Sequence, residues 1–321
     1  MRIVFMGTPE SAVPSLRRCV EDGHEVLAVW TQPDRPAGRG NKLKAPPVKE
    51  YALSQNLTVH QPAKIRTEEA LSLFAAEEFD VAVVVAYGRI LPATFLRAPR
   101  RGCVNVHFSL LPKYRGAAPV NWSIVRGERE SGVTTMLIDE GLDTGPVLLQ
   151  RSTQIEDGET APHLLERLSH AGAELLGETL ARFDRIEPQP QRNEDATLAP
   201  MLKREDGLID WTQDANGIER RVRGFQPWPN AYTFYKGRRL VIWRASVLEI
   251  EGEGTKDISP PRDISPHRAG EITEARGDNL FIACGDATSL RVLELQPEGK
   301  QRLGARDFIN GAHISAGERF G

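Results

Sequence analysis

The first half of the chain alternates short apolar runs with longer amphipathic segments, and this alternation restricts the fold more than any other feature. Between the runs, segments such as Ser11 to Val20 and Thr67 to Glu78 space their apolar residues as amphipathic helices do. Strands that are apolar on both faces are typical of a parallel sheet covered by helices on both sides. The pattern therefore predicts an α/β domain with a doubly wound, mostly parallel sheet. The apolar runs are Ile3 to Met6, Val26 to Trp30, Val81 to Tyr87 and Val104 to Phe108.

A long helical segment at residues 160–183 ends this pattern, because its leucines and alanines recur every three or four positions. The polar, proline-bearing stretch that follows has no periodicity and is predicted to be a linker. We expect a catalytic α/β domain at residues 1–185, a linker at 186–205 and a second domain at 206–321.

The second domain has a different texture. Short β-branched or aromatic runs are separated by glycine-rich turns and no long helix is indicated, which predicts a small β-barrel or sandwich, an OB-like barrel being one form that fits. Residues 252–267 are rich in glycine, proline and charge and are predicted to be a surface insertion. The predicted strands are Tyr232 to Tyr235, Leu240 to Trp243, Glu271 to Thr273, Leu280 to Cys284 and Ser289 to Leu295.

Composition excludes several classes of protein. A hydrophobic fraction of 40% and a charged fraction of 26% are ordinary for globular proteins and exclude collagen-like and disordered chains. The longest apolar run, Val81 to Tyr87, is far shorter than the ~20 residues that a membrane span requires. The cysteines lie far apart without a CxxC pair, so neither a disulfide framework nor a metal site is indicated.

The cysteines and the net charge also bear on the cellular compartment and on contacts with nucleic acid. Isolated cysteines suit a reducing compartment, and Met1 to Gly7 runs directly into a strand-like segment, so we expect a cytoplasmic protein. The formal net charge of -3 provides no global positive field for nucleic acid, which leaves local basic segments as the candidates for such contacts.

Asn105 and His107 are the first candidate functional residues. They lie two positions apart in an apolar strand, so their side chains point to the same face. Burying an unpaired polar side chain costs ~1–3 kcal/mol, and such a strand has no structural need for two of them. The pair at a strand end therefore favours a functional site over a satisfied core histidine.

The loop from Ile138 to Pro146 carries three carboxylates, those of Asp139, Glu140 and Asp143. They are interpreted either as solvated turn residues, as metal ligands in a spacing that does not fit an EF-hand, or as a set in which one carboxylate orients His107. Spacing alone does not decide which carboxylate that is.

The segment from Asp34 to Lys49 is strongly basic, and its glycines and prolines predict that it forms no regular element. A solvated loop is one interpretation. Its length and its place at the edge where α/β sites lie favour phosphate contacts instead. The same two interpretations apply to two basic clusters of the second domain, Arg220 to Arg223 and Lys236 to Arg239.

Two segments carry a resemblance to a known family. Residues 105–119, with the sequence NVHFSLLPKYRGAAP, and residues 141–145, GLDTG, resemble the folate-dependent formyltransferase family. Four further motifs narrow the resemblance to its methionyl-tRNA branch: FMGTPE at 5–10, QPDRPAGRG at 32–40, AYG at 86–88 and GFQPWPNA at 224–231. The sequence departs from the usual pattern at Arg89, Asn41, Phe108 and Lys113-Tyr114, none of which is a catalytic position.

The resemblance implies a Rossmann-like formyltransferase domain and an OB-like C-terminal barrel that binds tRNA. It implies 10-formyltetrahydrofolate as formyl donor and the amino group of methionyl initiator tRNA as acceptor, with no metal, and we expect a monomer. Three alternatives are a formyltransferase that acts on an amino-sugar nucleotide, an enzyme that hydrolyses formyl-folate, and an RNA-binding module without activity. The implied catalytic residues are Asn105, His107 and Asp143, the folate-binding residues Ser109, Leu110, Leu111 and Pro112, and the tRNA-binding residues Arg35, Arg39, Lys42 and Lys44.

Overall fold

The computed structural model describes residues 1–37, 42–76, 78–247 and 267–321, with the backbone but not the side chains of Ala37 and Lys42. The predicted surface insertion at 252–267 therefore lies, except for His267, outside the described residues. The chain divides into two compact units. The first comprises Met1–Pro119, Glu130–Ile155 and His163–Pro200, and the second Val120–Arg129, Glu156–Pro162 and Met201–Gly321.

The first unit is built on a mixed sheet. Its strands, with a separate hairpin formed by the third and fourth, are β1 (Arg2–Gly7), β2 (Glu25–Trp30), β3 (Arg35–Ala37), β4 (Lys42–Lys44), β5 (Val59–His60), β6 (Val81–Val85), β7 (Cys103–His107), β8 (Glu130–Leu137) and β9 (Val147–Gln154). The sheet order is β5-β2-β1-β6-β7-β8-β9. The first five strands of this order, β5, β2, β1, β6 and β7, run parallel to one another. The last two, β8 and β9, are each antiparallel to the strand before them. The predicted doubly wound, mostly parallel sheet is confirmed.

Both faces of the central strands are buried, which explains their continuous apolar sequence. On one face, Met6 and Val84 share a core with Phe74 and Phe95, whose rings stack at 4.3 Å. On the other face, Gly172 lies so near Val106 that an added Cβ would meet it at 2.8 Å. The helices that supply these contacts are α3 (Glu68–Ala75), α4 (Ala93–Leu96) and α6 (Ala161–Ala181); α1 (Val13–Glu21), α2 (Pro47–Ser54) and α5 (Pro119–Val125) are the others in this part of the sequence.

The second unit is an antiparallel sheet whose ends are joined by the chain terminus. Its strands are β10 (Tyr232–Tyr235), β11 (Arg238–Val247), β12 (Ile272–Arg276), β13 (Asn279–Ala283), β14 (Ser289–Pro297) and β15 (Leu303–Gly304), in the order β10-β11-β14-β13-β12, with β15 on β14. The Phe320 N–H donates to the Gly270 carbonyl next to β12, and the Gly321 N–H donates to Phe234 of β10, both at 2.9 Å. The tail thus bridges the two edge strands, as the predicted barrel requires.

Two helices of this unit are absent from the sequence prediction, α7 (Ala215–Gly224) and α8 (Ala305–Ala312). A signal for α7 is present, because Asp214 accepts a capping hydrogen bond from the Gly217 N–H at 2.9 Å. Ile218 and Val222, four positions apart, bury its apolar face. The helical spacing of these two apolar residues is hard to see in the sequence because four charged residues, Glu219, Arg220, Arg221 and Arg223, surround them. No helix in the described ranges is long and apolar enough to cross a membrane.

The three cysteines, Cys19, Cys103 and Cys284, are free and buried, and desolvation raises the pKa of each thiol to about 12. At pH 8 the thiolate fraction is then about 10⁻⁴, so we expect none of them to react with an aromatic disulfide reagent within minutes in the folded protein. After denaturation all three should react at the rate of a free thiol. The rapid titration of a thiol under native conditions would contradict this burial.

Candidate functional site

The carboxyl end of β7 presents two polar side chains in an otherwise apolar strand. Asn105 lies between Val84 of β6 and Met136 of β8, and His107 lies opposite Thr134 of β8. His107 is 6% exposed and Asn105 is half-buried. The Asn105 amide makes no hydrogen bond to the part of the chain that the structure describes, so its donors are available to a ligand at this edge.

Tyr114 and Asp143 set the orientation of the His107 ring. The Nε2 atom lies 2.9 Å from the carbonyl oxygen of Tyr114, and because a carbonyl only accepts, Nε2 must carry a proton. The Nδ1 atom therefore faces the Asp143 carboxylate, whose Oδ2 lies 3.9 Å away. That separation exceeds a hydrogen bond and leaves the two groups free to share a proton with a reactant.

The structure distinguishes among the three loop carboxylates that the spacing left open. Asp139 accepts hydrogen bonds from the Gly141 N–H at 3.0 Å and the Thr144 hydroxyl at 2.7 Å, as a turn residue does. Glu140 is exposed and pairs with Arg97 at 3.5 Å. Asp143 alone of these three lies beside His107, and among the described residues no group of His, Cys, Asp and Glu side chains is placed to hold a metal ion.

Close packing of the backbone holds the Asp143 loop in place. Asp143 adopts a left-handed backbone with φ of 52°, and its Oδ2 accepts the Gly116 N–H at 2.8 Å. Two residues on, a Cβ at Gly145 would lie 1.9 Å from the Leu137 carbonyl oxygen. Glycine is required at position 145, because the loop returns directly onto the end of β8.

A cavity of about 460 Å³ opens at the same edge of the sheet, beyond the carboxyl ends of β1, β2 and β6. Thr8 and Gln32 line its inner part, and Arg35 and Lys44 line its outer part. The position agrees with the general rule that ligands of open α/β sheets bind beyond the carboxyl ends of the strands.

The basic segment is more regular than its composition predicted. Instead of an irregular loop, β3 and β4 form an antiparallel hairpin in which Arg35 lies opposite Lys44. The composition misleads here because proline and glycine are typical of irregular loops, whereas an isolated edge strand tolerates proline. Arg39 lies outside the described residues, as does the side chain of Lys42.

Another cation of this segment is already neutralised. The Lys49 ammonium contacts both Asp34 oxygens, at 2.8 and 2.9 Å, and together with a hydrogen bond from Gln61 it lowers the pKa of the Asp34 carboxyl. Arg35 and Lys44 remain exposed. The hairpin therefore keeps its positive charge where it borders the cavity.

Comparison with known proteins agrees with this geometry. The sequence model of the formyl transferase domain matches residues 1–180, and the model of the formyl transferase C-terminal domain matches residues 201–313. The chain belongs to the formyltransferase family. The resemblance stated from its motifs is thereby confirmed.

Among curated relatives of this formyltransferase are the methionyl-tRNA formyltransferases of Caldanaerobacter subterraneus subsp. tengcongensis and Citrifermentans bemidjiense. The first is 47% identical over 99% of both chains. The second is 48% identical over 100% of this chain and 96% of its own.

Solved structures share the fold. An N-formyltransferase from Helicobacter canadensis, in complex with folinic acid and dTDP-3-aminofucose, has a TM-score of 0.65 at 19% identity, over 92% of this chain and 98% of its own. The methionyl-tRNA formyltransferase from Clostridium thermocellum has a TM-score of 0.54 at 20% identity, over 77% of this chain and 93% of its own.

The segment implied to bind folate in this formyltransferase is held by residues that the sequence analysis missed. Ser109 and Leu111 are buried, whereas Leu110 and Pro112 are half-buried and remain accessible. The Thr134 hydroxyl donates to the Ser109 carbonyl at 2.7 Å and accepts the Leu111 N–H at 3.1 Å.

Gln150 completes this support, because its Nε2 donates to the Leu111 carbonyl at 2.7 Å and to the Thr134 hydroxyl at 2.9 Å. A hydroxyl in a strand buried along six consecutive residues is the signal that would have pointed to Thr134.

The basic clusters of the second unit are mostly engaged within that unit. Arg221 donates to the Asp206 carbonyl at 2.9 Å, and Arg223 pairs with Glu219 at 2.6 Å. Lys236 pairs with Glu318 at 3.0 Å. Arg239 also donates to the Pro229 carbonyl, at 3.3 Å. Four of the six cations are thus engaged within the unit, so the two clusters carry less weight as a tRNA surface than the hairpin does.

We expect Thr134→Val to lower the free energy of unfolding by about 2 kcal/mol, because it leaves the Ser109 carbonyl and the Leu111 N–H buried without their partner. Thr134→Ser keeps the hydroxyl and should lose less than about 1 kcal/mol. Urea denaturation followed by circular dichroism measures both. Equal stability of Thr134→Val and the wild type would show that this hydroxyl is not needed to hold the segment.

Proposed function

We propose that this formyltransferase transfers the formyl group of 10-formyltetrahydrofolate to the α-amino group of methionyl initiator tRNA, as a monomer in the cytoplasm. The observation that carries the proposal is 47% identity over the full length to a methionyl-tRNA formyltransferase, in a chain that places Asn105, His107 and Asp143 at one strand edge. The alternative, an amino-sugar nucleotide acceptor, has support only from structures such as the 19% identical Helicobacter enzyme.

The reaction requires no nucleophilic side chain. The α-amino nitrogen forms a bond to the formyl carbon, a tetrahedral oxyanion results, and the bond from carbon to N10 of tetrahydrofolate then breaks. An α-amino group titrates near ~7.7–8.0, so the nucleophile must lose a proton, and N10 must gain one as it leaves. The protein has to stabilise the oxyanion and move this proton.

Asn105 and His107 supply the oxyanion donors, His107 through Nδ1–H, because its Nε2–H is already bonded to the Tyr114 carbonyl. The Asn105 amide has no partner among the described residues, and the ring of His107 is fixed by the Tyr114 carbonyl at 2.9 Å. Donors that are oriented before the reaction stabilise the developing charge without reorganisation, and removing one such donor costs about 10²–10³ in rate.

Asp143 moves the proton. Its carboxylate lies 3.9 Å from His107 Nδ1 and is held from behind by the Gly116 N–H at 2.8 Å. A carboxylate in this place accepts a proton from the attacking amine, directly or through water, and returns it to N10.

The two substrates reach this centre from different sides. Ser109, Leu110, Leu111 and Pro112 follow β7 directly and bind the folate, where Leu110 and Pro112 remain accessible. The cavity beyond β1 and β6 receives the aminoacylated end of the tRNA, because Arg35 and Lys44 at its outer part attract phosphates. Arg39 and Lys42 are proposed to extend these contacts along the acceptor stem.

An acceptor assay tests the function. The protein is incubated with 10-formyltetrahydrofolate and, in parallel, with methionyl initiator tRNA, methionyl elongator tRNA and an amino-sugar nucleotide. We expect rapid formylation of the initiator tRNA and rates at least about 100-fold lower with the other acceptors. Preferred formylation of the sugar nucleotide would establish the alternative acceptor instead.

We expect Asp143→Asn to lower kcat for formylation by about 10²–10⁴, because the amide cannot accept the amine proton. The matched control is Glu140→Gln, which makes the same charge change in the same loop at an exposed side chain paired with Arg97. Its kcat should stay within about twofold of the wild type. Saturation kinetics for both substrates provide the measurement, and a normal kcat for Asp143→Asn would remove Asp143 from the mechanism.

Neutralising the hairpin with Arg35→Gln and Lys44→Gln should raise the KM for methionyl-tRNA. Each lost phosphate contact should reduce the slope of log affinity against log salt by about 0.7–0.9. The affinity for 10-formyltetrahydrofolate should not change, since the folate segment follows a different strand.

The matched control neutralises Arg100 and Arg101, which precede β7 and so lie at the opposite edge of the sheet. They form ion pairs with Glu78 and Asp184. Steady-state kinetics across a salt series should separate the two double variants. The same salt slope for both would show that the hairpin does not contact phosphates.

A further inference from the structure

Three consecutive residues, Tyr114 to Gly116, contact both the oxyanion donor His107 and the proton-transfer group Asp143. The Tyr114 carbonyl accepts from His107 Nε2 at 2.9 Å, and the Gly116 N–H donates to Asp143 Oδ2 at 2.8 Å. A shift that moves one of these two contacts relative to the other therefore changes the separation of His107 and Asp143. Tyr114 has φ of 63° and Asp143 has φ of 52°, and a left-handed backbone at such residues costs about 1 kcal/mol each unless the surroundings impose it.

The restraint comes from the stretch that the sequence predicted to be a linker. Arg115 pairs with residues on both sides of Leu198, donating to the Thr197 carbonyl at 2.9 Å and accepting from the Ala199 N–H at 2.7 Å. The Thr197 hydroxyl also accepts the Tyr114 N–H at 2.9 Å. Residues 191–199 of the predicted linker thus contact the segments that hold His107 and Asp143.

Gln191 joins the two left-handed loops. Its Nε2 donates to the carbonyl oxygens of Asp143 at 2.9 Å and of Gly145 at 2.7 Å, and its Oε1 accepts from Arg115 Nε at 3.0 Å. One side-chain amide therefore uses both donors and its acceptor to connect the Asp143 loop to the segment that contacts His107.

The chemistry of this link requires an amide. Arg115 is 7% exposed, and its side-chain hydrogen bonds within the described residues go to two neutral amides, those of Gln191 and Asn193. A carboxylate at position 191 would pair with the Arg115 guanidinium. It would also face the two loop carbonyls with no hydrogen to donate, so a glutamate would keep the contact to Arg115 and lose the contact to the Asp143 loop.

We infer that Gln191 is a positioning residue for formyl transfer, whose side-chain amide sets the separation of His107 and Asp143 by tying the Asp143 loop to the Tyr114–Gly116 segment. The inference rests on the proposed function for the roles of these two groups. Gln191 touches neither reactant in this account and acts only through Asp143 and His107.

The test compares Gln191→Met and Gln191→Glu, which keep the length of the side chain, with Gln189→Met. Gln189 lies in the same segment, and among the residues that the structure describes its exposed side chain donates only to the Glu187 carbonyl, at 3.1 Å. Single-turnover formylation of methionyl-tRNA, the dissociation constant for tetrahydrofolate and the melting temperature are measured for each variant. We expect both Gln191 variants to lose at least about 10-fold in single-turnover rate, with folate affinity within about threefold, and Gln189→Met to match the wild type.

A second arm separates positioning from general damage. In an Asp143→Asn background, Gln191→Met should change the rate by less than about twofold, because a residue that acts through Asp143 has nothing left to position. The pH dependence of the rate should also change for Gln191→Met and not for Gln189→Met. Multiplicative losses in the double variant, or wild-type rates for both Gln191 variants, would overturn the inference.

A crystal structure of Gln191→Met gives a readout that needs no activity. We expect the separation of His107 Nδ1 and Asp143 Oδ2 to differ from that in a crystal structure of the wild type by more than about 0.5 Å. An unchanged separation overturns the inference, even if the melting temperature of the variant is lower than that of the wild type. A wild type that formylates none of the tested acceptors overturns the proposed function instead, and the two failures are therefore distinct.

Discussion

Burial of the central strands on both faces is the constraint on which the rest of this protein depends. Val81 to Val85 of β6 are all buried, and β7 beside it is buried except at Asn105. A polar side chain in such a strand is costly unless it is hydrogen-bonded, as Thr134 is, or faces an opening near the end of the strand. Asn105 and His107 lie in the second half of β7, and the segment 109–112, the cavity and the hairpin all lie beyond the carboxyl ends of the strands.

Strain in the loops around this edge is balanced by contacts from distant parts of the chain. Tyr114 and Asp143 hold left-handed backbones, a conformation that costs free energy at residues other than glycine and is least favoured at a bulky residue such as Tyr114. Hydrogen bonds from Gln191 and Thr197, which follow them by 48 residues or more, stabilise both conformations. The order of the site is thus a property of the whole first unit, which includes residues 186–200.

Charge in this formyltransferase is local. The net charge of -3 argued mildly against an RNA partner, yet the average conceals how the charges are used. Lys49, Arg223 and Lys236 are paired with carboxylates, whereas Arg35 and Lys44 stay exposed on the hairpin beside the cavity. An exposed pair of cations at the entrance of a site attracts a phosphate backbone locally, without causing non-specific binding of nucleic acid to the rest of the surface.

The sequence by itself determined the main strands and the helices α1, α3 and α6, with approximate limits, because hydrophobic period, caps and turn residues act over a few positions. It determined the mostly parallel sheet, the barrel strands, and the pairing of Asn105 and His107 on one strand face. The sequence did not predict helix α7 or the β3–β4 hairpin, because charged residues in α7 and proline in the hairpin hide the hydrophobic pattern of such short elements. Only the tertiary structure decided that Asp143 is the carboxylate beside His107 and that Gln191 holds its loop. Those contacts join residues 36 and 48 positions apart, and which distant segments meet depends on how the strands pack, which no local pattern encodes.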